Sequence, residues 1–190
     1  FWPGPLTMIL PRSDEIADAV CAGLPTAAVR MPSHPDALAI IRACGLPLAA
    51  PSANLSGSPS PTTAADVLAD MKGKVPLIVD GGACAVGVES TVISLTAETP
   101  VLLRPGYITK EQLEKVLGRP VALSAAILEK LKEGEVANSP GMKYKHYAPK
   151  ANVVIVKGTF AAYKEYVTHH CDADTICLCF EGEEHSLPCR

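Results

Sequence analysis

The sequence predicts an α/β fold built on a mixed sheet. Short apolar runs bounded by Pro, Gly or Asp read as buried strands. Stretches with capping residues and helical spacing lie between them. The two kinds of segment do not strictly alternate, which argues for a mixed sheet over a doubly wound parallel one. Apolar residues make up 48% of the 190 positions, enough for a buried core and against disorder.

In chain order, residues 6–10 form the first expected strand. Ser13 then caps a helix to Cys21, with Asp14 and Glu15 in its first turn. A strand follows over 27–31. Helix 35–44 places Ala37, Leu38 and Ile41 on one face and stops at Gly45. Residues 46–50 read as a buried strand. Thr62 or Thr63 starts a helix to Met71. Three strands are expected over 77–79, 91–95 and 101–103. Thr109 caps the next helix, whose buried stripe is Leu113, Val116 and Leu117; another helix covers 123–132. Beyond Lys150, strand 151–156, helix 159–169 and strand 175–180 read as a small βαβ unit.

Charge and proline mark the same boundary. Residues 1–150 carry 14 basic and 14 acidic side chains, whereas 151–190 carry 3 and 6 and so hold the whole net charge of −3. Of 17 prolines, 16 lie at or before Pro149. We therefore divide the chain into 1–133, a linker over 134–150, and 151–190. The small net charge excludes a general polyanion binder, so any nucleotide or RNA contact must be local. No apolar run approaches the roughly 18 residues of a membrane span.

The 7 cysteines are odd in number and nothing here reads as a secretory leader. A disulfide framework is not expected, and a reducing cytoplasmic setting is. Four of them, Cys171, Cys177, Cys179 and Cys189, crowd near His169, His170 and His185. Cys177-Leu-Cys179 sits in an apolar run, and a strand explains it better than a zinc site. Because the chain starts at Phe1 in a structured-looking segment and stops after two strands of the second unit, both ends are expected to be incomplete.

Five segments could carry chemistry. The run from Leu46 to Thr62 contains Ala50, Ser52, Asn54 and Ser60 among prolines, and ends at a helix N-terminus that attracts anions. It reads either as an ordinary Pro/Ser loop or as a phosphate-binding one. Gly81 and Gly82 precede Gly87-Val-Glu-Ser90-Thr-Val92, which is either a hairpin turn or a close backbone approach to a ligand. Arg104 lies between a strand and a Pro-Gly turn, where its guanidinium could grip phosphate or carboxylate. Arg30 ends an apolar strand, where an unpaired charge is expensive and calls for an anion. His34, before Pro35, is a helix-start residue or a base. Residues 139–149 alternate Lys143, Tyr144, Lys145, His146 and Tyr147 between Pro and Gly, as a solvated linker or a flap over an anion. No GxGxxG, Walker A, HExxH, paired CxxC or GxSxG occurs, so these residues alone name no reaction.

Taken together, Pro3-Gly-Pro-Leu-Thr7, Arg30-Met-Pro-Ser-His-Pro35, Ala50-Pro-Ser-Ala-Asn54, Gly87-Val-Glu-Ser-Thr-Val92, Leu103-Arg-Pro-Gly106 and Ser139-Pro-Gly-Met-Lys-Tyr-Lys-His-Tyr-Ala-Pro149 closely resemble the Sua5/YrdC family of threonylcarbamoyl-adenylate synthases. The last motif resembles the longer Sua5 branch. The resemblance implies a YrdC-like twisted mixed sheet with flanking helices, followed by the start of a small Rossmann-like Sua5 domain. It implies synthesis of threonylcarbamoyl-AMP from L-threonine, bicarbonate and ATP, with Mg²⁺ accompanying ATP. The product would feed a tRNA threonylcarbamoyl-transfer complex that modifies adenosine 37, with a possible tRNA contact and no membrane.

Carried over by motif, Thr26, Ser52, Asn54, Ser60 and Arg104 match ATP positions. Lys143 lies in the linker expected to touch ATP. Arg30, Ala50 and Ser90 match the L-threonine side. No covalent nucleophile and no protein metal ligand is implied. The family's upstream Thr-rich strand and Lys-x-Arg motif do not occur in this sequence, and Lys72 and Lys74 do not replace them. A non-catalytic nucleotide- or RNA-binding module is the alternative reading. A hydrogenase-maturation-type carbamoyl-adenylating domain is disfavoured by the linker motif and by the lack of CxxC pairs.

Overall fold

The computed structural model describes residues 1–128 and 151–189. It separates into two compact units, Phe1–Tyr147 and Ala148–Arg190, each treated by itself below.

The first unit is organised by a five-stranded sheet. Its strands are β1 (Leu6–Pro11), β2 (Thr26–Arg30), β3 (Thr91–Ser94), β4 (Val101–Arg104) and β5 (Ala122–Leu123), in spatial order β2-β1-β3-β4-β5. β1 runs antiparallel to β2 and parallel to β3; β4 is antiparallel to β3 and parallel to β5. The sheet is therefore mixed, as the missing strand–helix alternation implies.

The period-2 pattern sorts side chains between two faces. Leu6 and Ile93 point into one cluster with Leu102, Ile108, Leu113 and Val121. Helix α4 (Lys110–Leu117) covers this face, and Ile93 there is 1% exposed. Ile9, Val92 and Leu103 form a smaller cluster on the opposite face. Burial of these branched side chains is the main stabilising term, on the order of 2 kcal/mol for each one fully buried.

Local chemistry sets the helix ends. α4 begins in a capping box: Thr109 accepts from the Gln112 N–H, and the Gln112 side chain accepts from the Thr109 N–H. α2 (Pro35–Cys44) starts on proline and ends at Gly45 with φ 65°, the left-handed cap that glycine adopts without a Cβ penalty. α3 (Ala64–Met71) carries a second box between Thr63 and Asp66. Neither α2 nor α3 buries a residue. The short α5 (Ala125–Leu128) closes the described part of this unit; of the expected 123–132 helix, Leu123 is drawn into β5 by pairing with Leu102, Ser124 precedes α5, and 129–132 lie outside the described residues.

Several expectations need correction. Residues 46–50 and 77–79 are not strands: no neighbouring strand pairs with them among the described residues, and Leu77 is 75% exposed. Pro47 and Pro76 also remove backbone donors there. The helix expected from Ser13 is confined to α1 (Asp18–Cys21). Arg12 stitches the preceding turn instead, donating to the Ile16 carbonyl at 3.0 Å and pairing with Asp18.

Glu114 ties α4 to the strand that follows. Its carboxylate accepts from Lys110 Nζ at 2.6 Å and from the Val121 N–H at 2.9 Å. The lysine first, then the amide, hold its pKa below the ordinary value. A depressed carboxylate contributes stability above the unfolded pKa and loses it as pH falls through the folded one. Glu114→Gln should therefore lower the urea midpoint at neutral pH. The gap from wild type should close as pH drops past the ordinary value of 4.5. A gap unchanged at low pH would rule this coupling out.

In the second unit, helix α6 (Phe160–His170) is capped by Thr159, which accepts from the Ala162 N–H at 3.3 Å. A single 3-10 turn follows at Glu184–Ser186. The runs 151–156 and 175–180 carry no strand pairing among the described residues; Ile155, Ile176, Leu178 and Phe180 are exposed. The expected βαβ unit is thus represented by its helix alone. The apolar pattern is strand-like, but a strand needs an adjacent backbone to pair with.

Candidate active site

Strand direction gathers the polar candidates at one end of the sheet. β1 and β3 start where β2 and β4 finish, because each outer strand is antiparallel to its inner neighbour. Thr7 pairs with Arg30 on one side and with Val92 on the other. Directly paired residues share a face, so Arg30, Thr7 and Val92 lie in one row, on the face opposite the α4-covered cluster.

Ser90 continues this patch. Its hydroxyl meets Thr7 Oγ1 at 2.8 Å. Arg104 Nη2 donates to Ser90 Oγ at 3.1 Å, and Arg104 Nε donates to the Ser90 carbonyl at 3.0 Å. Ser90 itself is buried. The result is a Thr7–Ser90–Arg104 network with Arg30 across the strand pair from Thr7.

The next residue serves the other face. Thr91 is fully buried; its Oγ1 donates to the Ile108 carbonyl at 2.7 Å and accepts from the Ile108 N–H at 3.0 Å. That double bond folds the chain after β4 back against β3. Gly106 lies inside the fold-back. A Cβ there would sit 2.5 Å from both the Glu89 carbonyl oxygen and the Thr91 nitrogen.

Arg30 is exposed, so water solvates its charge and the burial penalty expected from the apolar strand does not apply. No carboxylate among the described residues forms an ion pair with it. Thr26 shares its face but lies at the other end of β2, four residues away, or roughly 13 Å of strand.

The loops that follow β2 in the chain are laced together. His34 caps α2 with Nδ1, which accepts from the Asp36 N–H at 3.3 Å. Its Nε2 therefore carries the hydrogen and donates to the Gly81 carbonyl at 3.0 Å. The helix-start role of His34 is the one its bonds fulfil. A Cβ on Gly81 would meet the His34 ring at 2.9 Å, so glycine is needed for that approach. Further on, the Cys84 N–H donates to the Thr62 carbonyl at 2.8 Å, joining the glycine loop to the start of α3.

Asn54 braces its own loop. Its amide donates to the carbonyls of Leu55 and Ser58, at 2.8 and 2.9 Å. The Ser58 N–H donates to the Leu55 carbonyl at 3.0 Å across Gly57, whose φ is 92°. The Leu55 N–H donates to Asp70 at 2.9 Å and pins the turn to α3. Among the described residues, Asn54 Oδ1 is the side-chain oxygen left buried without a partner. Ala50 and Ser52 are exposed on the approach to this turn, and Ser60 is half-buried beyond it. The structure thus brings Arg30, Ser90 and Arg104 to one end of the sheet. It places Ala50, Ser52, Asn54 and Ser60 on a separate loop and Thr26 at the far end of β2. Lys143 lies outside the described residues. Thr7 is the polar contact that the residue-by-residue assignment misses; it stands inside the quoted Pro3-Gly-Pro-Leu-Thr7 motif, but its role depends on strand register.

A mixed sheet with one face packed by helix and the other ending in an arginine–hydroxyl network defines an α/β protein whose cationic and hydroxyl groups converge at one sheet end. The family described as "Telomere recombination", named for Sua5, YciO and YrdC, matches residues 1–106. A second, described as "Threonylcarbamoyl-AMP synthase, C-terminal domain", matches residues 108–186. The chain belongs to the Sua5/YrdC family.

It is 55% identical over 160 residues to a threonylcarbamoyl-AMP synthase of Bacillus subtilis, covering 84% of this chain and 45% of that one. The crystal structure of P. abyssi Sua5 complexed with L-threonine aligns with a TM-score of 0.78 at 47% identity, over 89% of this chain and 50% of that one. E. coli YciO aligns at a TM-score of 0.51 and 33% identity, over 55% of this chain and 52% of that one. The chain spans a little under half the length of the curated relatives named threonylcarbamoyl-AMP synthase that it matches. Among the described residues, no helix is long and apolar enough to cross a membrane.

Proposed function

We propose that this chain acts in the synthesis of threonylcarbamoyl-AMP from L-threonine, bicarbonate and ATP. The observation that carries the reading is the convergence of Arg30, Thr7, Ser90 and Arg104 at one end of the sheet. The names of its relatives and the threonine-bound P. abyssi structure support it.

In this reading Arg30 pairs with the threonine carboxylate, and Ser90 and Ala50 flank the amino acid. Arg104, with Ser52, Asn54, Ser60, Thr26 and Lys143, serves ATP. Threonine's amine adds to carbon dioxide derived from bicarbonate and loses a proton, giving a carbamate. A carbamate oxygen then attacks the α-phosphorus, and pyrophosphate leaves. The chain's contribution is to position the two substrates and to face developing phosphate charge with guanidinium and hydroxyl groups.

Mg²⁺ would neutralise triphosphate charge and is best held by phosphate oxygens and water. No group of three or more His, Cys, Asp or Glu side chains among the described residues could hold a metal ion. The product would pass in the cytoplasm to a tRNA threonylcarbamoyl-transfer complex.

The test is pyrophosphate release from ATP that requires threonine, bicarbonate and Mg²⁺ together. Release independent of threonine would sink the reading. Arg30→Ala should weaken threonine binding about 10- to 100-fold, the scale of one charge-assisted contact, with a smaller effect on ATP. Calorimetric titration of each ligand reads the difference, and an effect confined to ATP would reverse the assignment.

A further inference from the structure

The second unit draws together thiols that the proposed reaction does not use. Cys177 Sγ and Cys189 Sγ lie 2.7 Å apart, twelve residues apart in sequence and both partly buried. That is closer than the ~3.5–4.0 Å at which even smaller non-bonded carbon atoms rest. All seven cysteines are free, so the two sulfurs meet as thiols. Cys171, at the end of α6, also reaches Cys189. No described group of three or more ligating side chains could hold a metal ion, so chelation does not account for the approach.

We propose that Cys177 and Cys189 are a reversible disulfide-forming pair, a modification site whose oxidant is a low-molecular-weight disulfide such as oxidised glutathione. The surroundings assign the order of steps. The hydrogen bond between the two thiols, then burial, pushes the Cys189 pKa up to about 12, which disfavours Cys189 as the first attacking sulfur. A concave surface lined by Cys171, Asp172, Thr175, Ile176, Pro188 and Cys189 opens beside the pair, on the Cys189 side.

The Cys177 thiolate attacks one sulfur of oxidised glutathione. This forms a mixed disulfide and expels one glutathione thiolate. Cys189 then gives up its proton to solvent, attacks the Cys177 sulfur and expels the second glutathione thiolate. Two protein thiols are oxidised, one glutathione disulfide is reduced to two thiols, and the released protons end on the glutathione sulfurs. The product closes a loop around the 3-10 turn at Glu184–Ser186. Excess reduced glutathione reverses both steps.

The test equilibrates the full chain with graded ratios of oxidised to reduced glutathione, then blocks free thiols with N-ethylmaleimide. Cleavage after Glu181, Glu183 and Glu184 separates Cys189 from Cys177, and cleavage before Asp172 and Asp174 separates Cys171. Fragmentation between Cys177 and Cys179 then assigns the linked sulfur. The expected result is a Cys177–Cys189 link, with parallel loss of maleimide from both positions, at ratios where exposed Cys44 and Cys84 still carry maleimide. Cys179→Ser should leave the link intact, and Cys189→Ser should leave Cys177 as a glutathione adduct. Linkage of Cys189 to Cys171 or Cys179 overturns the proposal. So do glutathione adducts without a cross-link, or an equal yield of the link in denaturing urea.

Discussion

Gly106→Ala is expected to destabilise the sheet-containing unit by about 1–3 kcal/mol, the usual cost of forcing extra atoms into a filled space. The added carbon would sit 2.5 Å from the Glu89 carbonyl oxygen and the Thr91 nitrogen and 2.8 Å from Thr91 Oγ1. Two of these atoms are backbone, and Thr91 Oγ1 is fixed by two hydrogen bonds to Ile108. None can swing aside as the end of a lysine would. Gly118→Ala is the informative comparison: its φ is 65°, with nothing within 4 Å of the new carbon. It should cost only the backbone strain of a left-handed alanine, about 1–2 kcal/mol. Urea unfolding of both variants reads the difference. A Gly106→Ala midpoint matching wild type would mean that the fold-back after β4 is looser than its bonds imply.

Arg104→Ala is expected to weaken the two ligands unequally. ATP affinity should fall about 10- to 100-fold, and threonine affinity by less. The arginine lies against Ser90 through both Nε and Nη2, so the variant removes a guanidinium from the anion site and a brace from a hydroxyl assigned to threonine. Ser90→Ala isolates the second effect and should lower threonine binding while sparing ATP. Arg104→Lys keeps a positive charge but cannot reproduce the two-point fork. It should recover only part of the ATP loss. Equal loss of both ligands in Arg104→Ala, or no loss, would count against the division of roles.

The contrast between what the sequence announced and what it hid follows the range of the interactions. Helix starts at Pro35, Thr63, Thr109 and Thr159 were legible because a cap needs only residues two or three positions away. β1, β3 and β4 were legible because burial imposes its pattern on each strand separately. Residues 46–50, 77–79, 151–156 and 175–180 have the same apolar pattern, yet strand formation depends on a neighbour that local pattern cannot supply. β5 escaped notice for the opposite reason: at two residues it has no period to detect, and only its pairing with Val101 and Leu102 defines it. In the site, Arg30 and Arg104 stood out as charges at strand ends. Thr7 did not, because threonine is ordinary in a strand and only register places it beside Ser90. Asn54 was legible as a loop residue, but not as one whose amide is engaged by the carbonyls of its own turn.

Adjacent Ser90 and Thr91 point to opposite sides of one strand, one to the arginine network and the other to the core. This one-residue alternation separates two selective pressures within a single peptide unit. Replacements at Ser90 act first on the hydroxyl–arginine network to which the proposed function assigns threonine. Replacements at Thr91 are judged on folding first. A scaffold divided in this way lets a change on one side of the strand be read in ligand binding and a change on the other in stability, although the two residues are neighbours in the chain.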